Sequence, residues 1–146
     1  MYLNKKTYVK QWDHQSPEEK YEVVVTKGGK PVDGIKASRV KYIEEEVGYW
    51  RKANQIHRWF VENVQNGVDN CGDYYVSQDK LTELKDICEH ALETKDPSIL
   101  PPQAGFFFGG TDIDEWYFHG LDDTVKGLNQ CLDMDDSWSF YYCSSW

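Results

Sequence analysis

Between residues 48 and 65, apolar side chains recur at Tyr49, Ala53, Ile56, Phe60 and Val64, in steps of 4, 3, 4 and 4. That spacing stacks them on one side of an α-helix, so it predicts a helix over 48–65 with a buried stripe. Asn66 and Gly67 supply an ordinary helix stop. The rest of the chain must supply the surface that covers this stripe.

The residues before it read as strands. Tyr2, Leu3, Thr7, Tyr8 and Val9 suggest a first strand, and residues 21–27 (YEVVVTK) are β-branched and run into the turn residues Gly28, Gly29, Lys30 and Pro31. Residues 39–43 alternate as a third strand, and residues 16–19 can make one helical turn. After the helix, a short strand is expected at 74–76. Ser77 is a good N-cap for a second helix with Leu81, Leu84, Ile87, Cys88, Ala91 and Leu92 inward, ended by Pro97, Pro101 and Pro102. Residues 105–110 (GFFFGG) and 114–119 (DEWYFH) read as a hairpin. Asp122 or Asp123 then caps a third helix burying Val125, Leu128 and Leu132, and Trp138, Phe140 and Tyr142 alternate in a last strand. The order β-β-β-α-α-β-β-α-β describes a single α+β domain over 1–146: an antiparallel sheet with about three helices packed mainly on one face.

Composition bounds the function classes. With 146 residues and 15% aromatics, including six Trp and ten Tyr, the chain is unlike a disordered one, and its amphipathic rings suit a small core or a stacking surface. The N-terminus has no apolar leader and no apolar run reaches membrane-spanning length, which predicts a soluble cytoplasmic protein without membrane partners. Cys71, Cys88, Cys131 and Cys143 are scattered, with gaps of 17, 43 and 12 residues, and read as small buried hydrophobes in a reducing compartment rather than disulfides or a zinc cage. Net charge is −9, but residues 1–58 hold 12 basic against 8 acidic side chains (+4) and residues 59–146 hold 4 against 17 (−13). This asymmetry reads either as acidic solvated helix faces or as a self-complementary contact in a homo-oligomer. At −9 the chain is a poor ligand for polymeric nucleic acid.

A second stripe on the 48–65 helix carries the chemistry. Trp50, Asn54, His57 and Val61 step by 4, 3 and 4, flanked by Arg51, Gln55 and Arg58. Arg offers phosphate a planar fork of donors, Asn reads a donor–acceptor edge, and Trp stacks a base. All three arginines fall within 39–58, in a chain that otherwise uses Lys, 13 times. A purely structural reading stands beside this: Arg51 and Arg58 pair with carboxylates such as Glu62, and His57 is a core-edge histidine bonded to a backbone carbonyl. In a strand Phe107 faces away from Phe106 and Phe108, so that run is core between two covered faces or leaves one ring exposed. Asp112, Asp114, Glu115 and His119 offer an acid–base group, with His119 as a base, although carboxylates this frequent cluster by chance. No metal site, cofactor motif or Ser/Cys nucleophile is predicted.

Residues 46–61 (EVGYWRKANQIHRWFV), 74–77 (YYVS), 105–109 (GFFFG), 114–117 (DEWY) and the terminal Ser144, Ser145 and Trp146 resemble an uncharacterised family of small bacteriophage and prophage proteins. The likeness extends over most of the chain and is most specific in its first segment. It implies a context, a viral accessory protein in a bacterial cytoplasm, and no mechanism. Accessory phage proteins of this size counter host defence by capturing a signal nucleotide, degrading it, or blocking a defence protein. The combined expectation is sequestration of a small anionic, nucleotide-like ligand, with Arg51 and Arg58 on phosphate, Asn54 and His57 hydrogen-bonding, and Trp50 with Phe106 or Trp116 stacking. The alternatives are an acidic inhibitor of a host defence protein and a nucleotide-cleaving enzyme using His57 or His119.

Overall fold

The computed structural model describes residues 1–104, 110–134 and 138–145. Strand β1 (Tyr2–Tyr8) alternates cleanly, with Leu3, Lys5 and Thr7 buried on one side and Tyr2, Asn4, Lys6 and Tyr8 on the other. The two-residue strands β2 (Thr26–Lys27) and β3 (Lys30–Pro31) form a small separate hairpin. There follow β4 (Tyr42–Tyr49), α1 (Asn54–Asn63), β5 (Tyr74–Val76), α2 (Gln78–Thr94), α3 (Glu115–Leu132) and β6 (Ser139–Cys143). Single 3-10 turns stand at Pro17–Glu19 and Ala37–Arg39.

The main sheet is antiparallel throughout, in the order β4-β1-β6-β5. Leu3, Val76, Phe140 and Tyr142 line its inner face and share one core with Ile56 and Phe60 of α1, Leu81, Leu84 and Cys88 of α2, and Leu121 and Leu128 of α3. Phe60 stacks on Tyr142 with ring centroids 3.9 Å apart and ring planes nearly parallel, at 9°. Complete burial of such side chains stabilises by roughly 1.5–3 kcal/mol each, so these contacts dominate the fold. The outer face carries the cross-strand ring pairs Tyr2–Tyr49, Tyr8–Tyr42 and Tyr75–Tyr141. The α+β class and the helices packed mainly on one face therefore stand as the sequence predicts.

Several boundaries differ. The helix expected over 48–65 begins at Asn54, because Gly48 and Tyr49 are drawn into β4 by pairing with Leu3 and Tyr2. Gly48 is needed there: a Cβ would lie 3.1 Å from Leu3 Cβ and 3.1 Å from Trp50 Cη2. Lys52 then adopts a left-handed conformation (φ 61°), which breaks any continuous helix. The strand expected over 21–27 survives only at Thr26–Lys27, and that expected over 39–43 is displaced by the turn at Ala37–Arg39 into β4.

Residues 114–119 are no hairpin arm but the start of α3, with Asp114 rather than Asp122 or Asp123 as its cap. Asp114 Oδ1 accepts from the backbone N–H of Trp116 at 3.0 Å and of Tyr117 at 3.2 Å. Tyr117, Leu121, Thr124, Leu128 and Cys131 form a helical stripe that overrides the strand preference of the aromatic run. Phe106, like the rest of 105–109, lies outside the described residues. The cysteines are free thiols, with Cys88 and Cys131 buried, Cys143 half-buried and Cys71 exposed, contrary to the expectation that all four are buried. Among the described residues no helix is long and apolar enough to cross a membrane.

Candidate functional site

Trp50 sets up the site from within. Its backbone N–H donates to the Met1 carbonyl at 2.9 Å, and its Nε1 donates to Thr124 Oγ1 of α3 at 2.8 Å. Thr124 Oγ1 in turn donates to the Gly120 carbonyl at 2.6 Å. The short link between β4 and α1 is thereby tied to one face of α3. Between the two lies a cleft of about 530 Å³, within the range of small-molecule sites. The link and the start of α1 contribute Tyr49, Arg51, Lys52, Asn54 and Gln55; α3 and the residues before it contribute Asp112, Asp114, Trp116, His119 and Asp123.

The strained φ of Lys52 belongs to this wall and costs on the order of 1–3 kcal/mol, held in place by the buried Trp50 and Ala53 on either side. Asn54 is buried and donates through Nδ2 to the Gly110 carbonyl at 2.8 Å, tying the loop before α3 to α1. Gln55 is only 4% exposed, yet its side-chain amide makes no hydrogen bond among the described residues. A Cβ built on Gly120 would lie 3.6 Å from Gln55 Nε2, so the amide projects toward α3 at the cleft. The amide is not among the side-chain polar atoms sealed from solvent, so it keeps its hydrogen-bonding capacity at the cleft wall. Trp116 stands at the other extreme, 77% exposed.

The structure brings together three of the seven residues expected from sequence, Arg51, Asn54 and Trp116. The others lie elsewhere. Trp50 is buried as the tether described above. His57 is buried on α1, its Nδ1 2.7 Å from the Tyr142 hydroxyl and its Nε2 3.2 Å from Asp69 Oδ1. Burial pushes the Tyr142 hydroxyl far above the ordinary tyrosine range, so it stays a neutral partner to that ring. Arg58 pairs with Glu62 one turn on, Nε to Oε1 2.8 Å, as the structural reading of that arginine had it. Phe106 is outside the described residues.

Sequence reasoning missed Lys52 and assigned Gln55 only to the flank of the polar stripe. The signal for both was local. Trp50, Arg51 and Lys52 in succession cannot all share one helix face, and a turn there points the basic pair away from the core.

On α3, His119 Nδ1 lies 3.6 Å from Asp123 Oδ2, and Asp122 is paired with Lys126. Among the described residues His119, Asp122 and Asp123 are the one group whose donor atoms approach within 4.8 Å of one another. Both aspartates already have partners, and the group carries no further mark of a cation. Asp114 is likewise committed to capping α3, so the positive charge in the cleft lining is that of Arg51 and Lys52 rather than of a helix N-terminus. In comparisons with protein-family models, curated proteins and solved structures, nothing matches this chain.

Proposed function

We infer that the cleft binds a small, planar, anionic ligand of nucleotide type and holds it without cleaving it. The observation that carries this reading is the placement of the exposed Trp116 ring, the Arg51–Lys52 pair and the Gln55 amide around one cavity. Trp116 stacks the base, Gln55 bonds its edge, and Arg51 and Lys52 take the phosphate. Two cations face three carboxylates, Asp112, Asp114 and Asp123. That balance favours a ligand of one or two negative charges with several hydrogen-bond donors, such as a cyclic or monophosphate nucleotide, over a triphosphate.

Together with the likeness to phage accessory proteins, the role is sequestration of a signal nucleotide in a bacterial cytoplasm. The test is the mass of small molecules released on denaturing protein purified from bacteria with active nucleotide signalling. An intact anionic nucleotide is expected from the wild type and is lost in Arg51→Ala. Release of nothing from the wild type would overturn binding. Release of a cleaved product, suppressed in His119→Ala, would move the reading to hydrolysis by the His119–Asp123 pair at the cleft.

A further inference from the structure

From residue 10 to residue 49 no side chain is buried. Within this stretch residues 21–25 carry the β-branched run Val23, Val24 and Val25, which belongs to no strand, with Val24 74% exposed. The Tyr21 and Val25 carbonyls are taken by Gln11 and Val32, while the backbone groups of Glu22, Val23 and Val24 have no partner among the described residues. A segment of high strand propensity with exposed apolar side chains is costly to order without something to pair with. The hairpin β2–β3 supplies only two residues a side, too little to hold the segment alone.

The same molecule presents an unpaired edge. Strand β4 is eight residues long and, among the described residues, ends the sheet, bonded to β1 on one side only. Its burial pattern is exposed over Tyr42–Glu46, with Ile43 42% exposed on the side where the core should cover it. Such an edge is a template for another strand. Two β4 edges meeting each other directly would set their glutamates together; Glu45 pairs with Lys5 and Glu44 with Lys6 within the chain, so Glu46 carries the remaining negative charge, and like charges directly opposite are destabilising. The unpaired segment has the opposite balance: residues 20–41 hold six basic side chains (Lys20, Lys27, Lys30, Lys36, Arg39 and Lys41) against Glu22 and Asp33, a net of +4. The arm leaves the sheet after Tyr8 and returns at Tyr42, the end from which β4 starts.

We propose that residues 21–25 of one copy add as a strand to the β4 edge of a second copy, reciprocally, giving a closed two-fold dimer. The backbone groups of 22–24 pair with β4, and the basic arm lies along the glutamates of the partner. Reciprocal exchange satisfies both surfaces at once and closes the assembly, which a one-way contact would not. The inference rests on no ligand and is independent of the cleft.

Sedimentation equilibrium of the full chain tests it. The wild type is expected to show a monomer–dimer equilibrium that weakens with salt. Val24→Pro, which removes one pairing N–H at an exposed site, raises the dissociation constant at least about tenfold with an unchanged helical circular-dichroism signal. Glu46→Lys weakens the dimer, and Glu46→Lys combined with Lys27→Glu restores part of it. Amide exchange across Tyr42–Tyr49 slows as concentration rises. A wild type that sediments as a monomer throughout overturns the proposal. So does a dimer that Val24→Pro leaves unchanged, since pairing would then run through another surface.

Discussion

Gln55 and Trp50 sit a turn apart in the chain and do opposite work. Trp50 satisfies its polar atom inside the protein, on Thr124, and so fixes the distance between the two walls of the cleft. Gln55 is largely buried too, but its amide makes no hydrogen bond among the described residues and projects to the cleft. The two roles separate on substitution. Gln55→Leu removes a polar group without leaving an orphaned partner, so it should leave the unfolding free energy within about 0.5 kcal/mol, while ligand affinity falls. Chemical denaturation alongside a binding titration checks both halves. A Gln55→Leu protein that is destabilised by 2 kcal/mol or more would show that the amide has a partner of its own.

At the scale of elements, α2 was fully legible and the β4–α1 junction was not. Ser77 with the apolar steps from Leu81 to Leu92 predicts a helix that the structure places at Gln78–Thr94, its cap oxygen accepting from the Lys80 N–H at 3.3 Å. There, local propensity and tertiary packing agree. At 48–53 they conflict: the periodic stripe continues through Tyr49, but pairing with β1 claims that residue for a strand. Half of the site sits on this junction, so the periodicity that found Arg51 and Asn54 also drew in His57 and Arg58, which point elsewhere. Aromatic strand preference likewise hid the start of α3, although Asp114 followed by Tyr117, Leu121 and Leu128 was a readable helical pattern. Asp114→Ala removes the cap and should cost about 1 kcal/mol of stability. Because the first turn it holds carries Trp116, nucleotide affinity should fall as well. Thermal melts and titration of that variant, with Ser77→Ala as a cap loss remote from the cleft, distinguish the two effects.

The whole molecule has an alkaline weakness written into its core. Burial pushes the thiols of Cys88 and Cys131 up to about 12 and about 11, and the Tyr117 hydroxyl up to about 12, from ordinary values of 9.0 and 10.0. In the unfolded chain these groups lose their protons first, so above pH 9 the folded state binds more protons than the unfolded one. Stability is therefore fully present below about pH 9 and falls as pH rises toward 12. Melting temperature followed over that window should decline steadily, and Cys88→Ala or Cys131→Ala should flatten part of the decline even where it lowers stability at neutral pH.

The charge asymmetry has the same molecular reach. The N-terminal excess of +4 is concentrated in the arm and at Arg51 and Lys52, so it lies on the surface rather than in the core. The central claim, that the cleft and not the α1 surface holds an anionic nucleotide, is tested most directly by calorimetric titration of Arg51→Ala beside Arg58→Ala. The account predicts at least a tenfold loss of affinity for Arg51→Ala and wild-type affinity for Arg58→Ala, whose partner is Glu62. Equal losses in the two variants, or no heat from the wild type with any cyclic or monophosphate nucleotide, would contradict it.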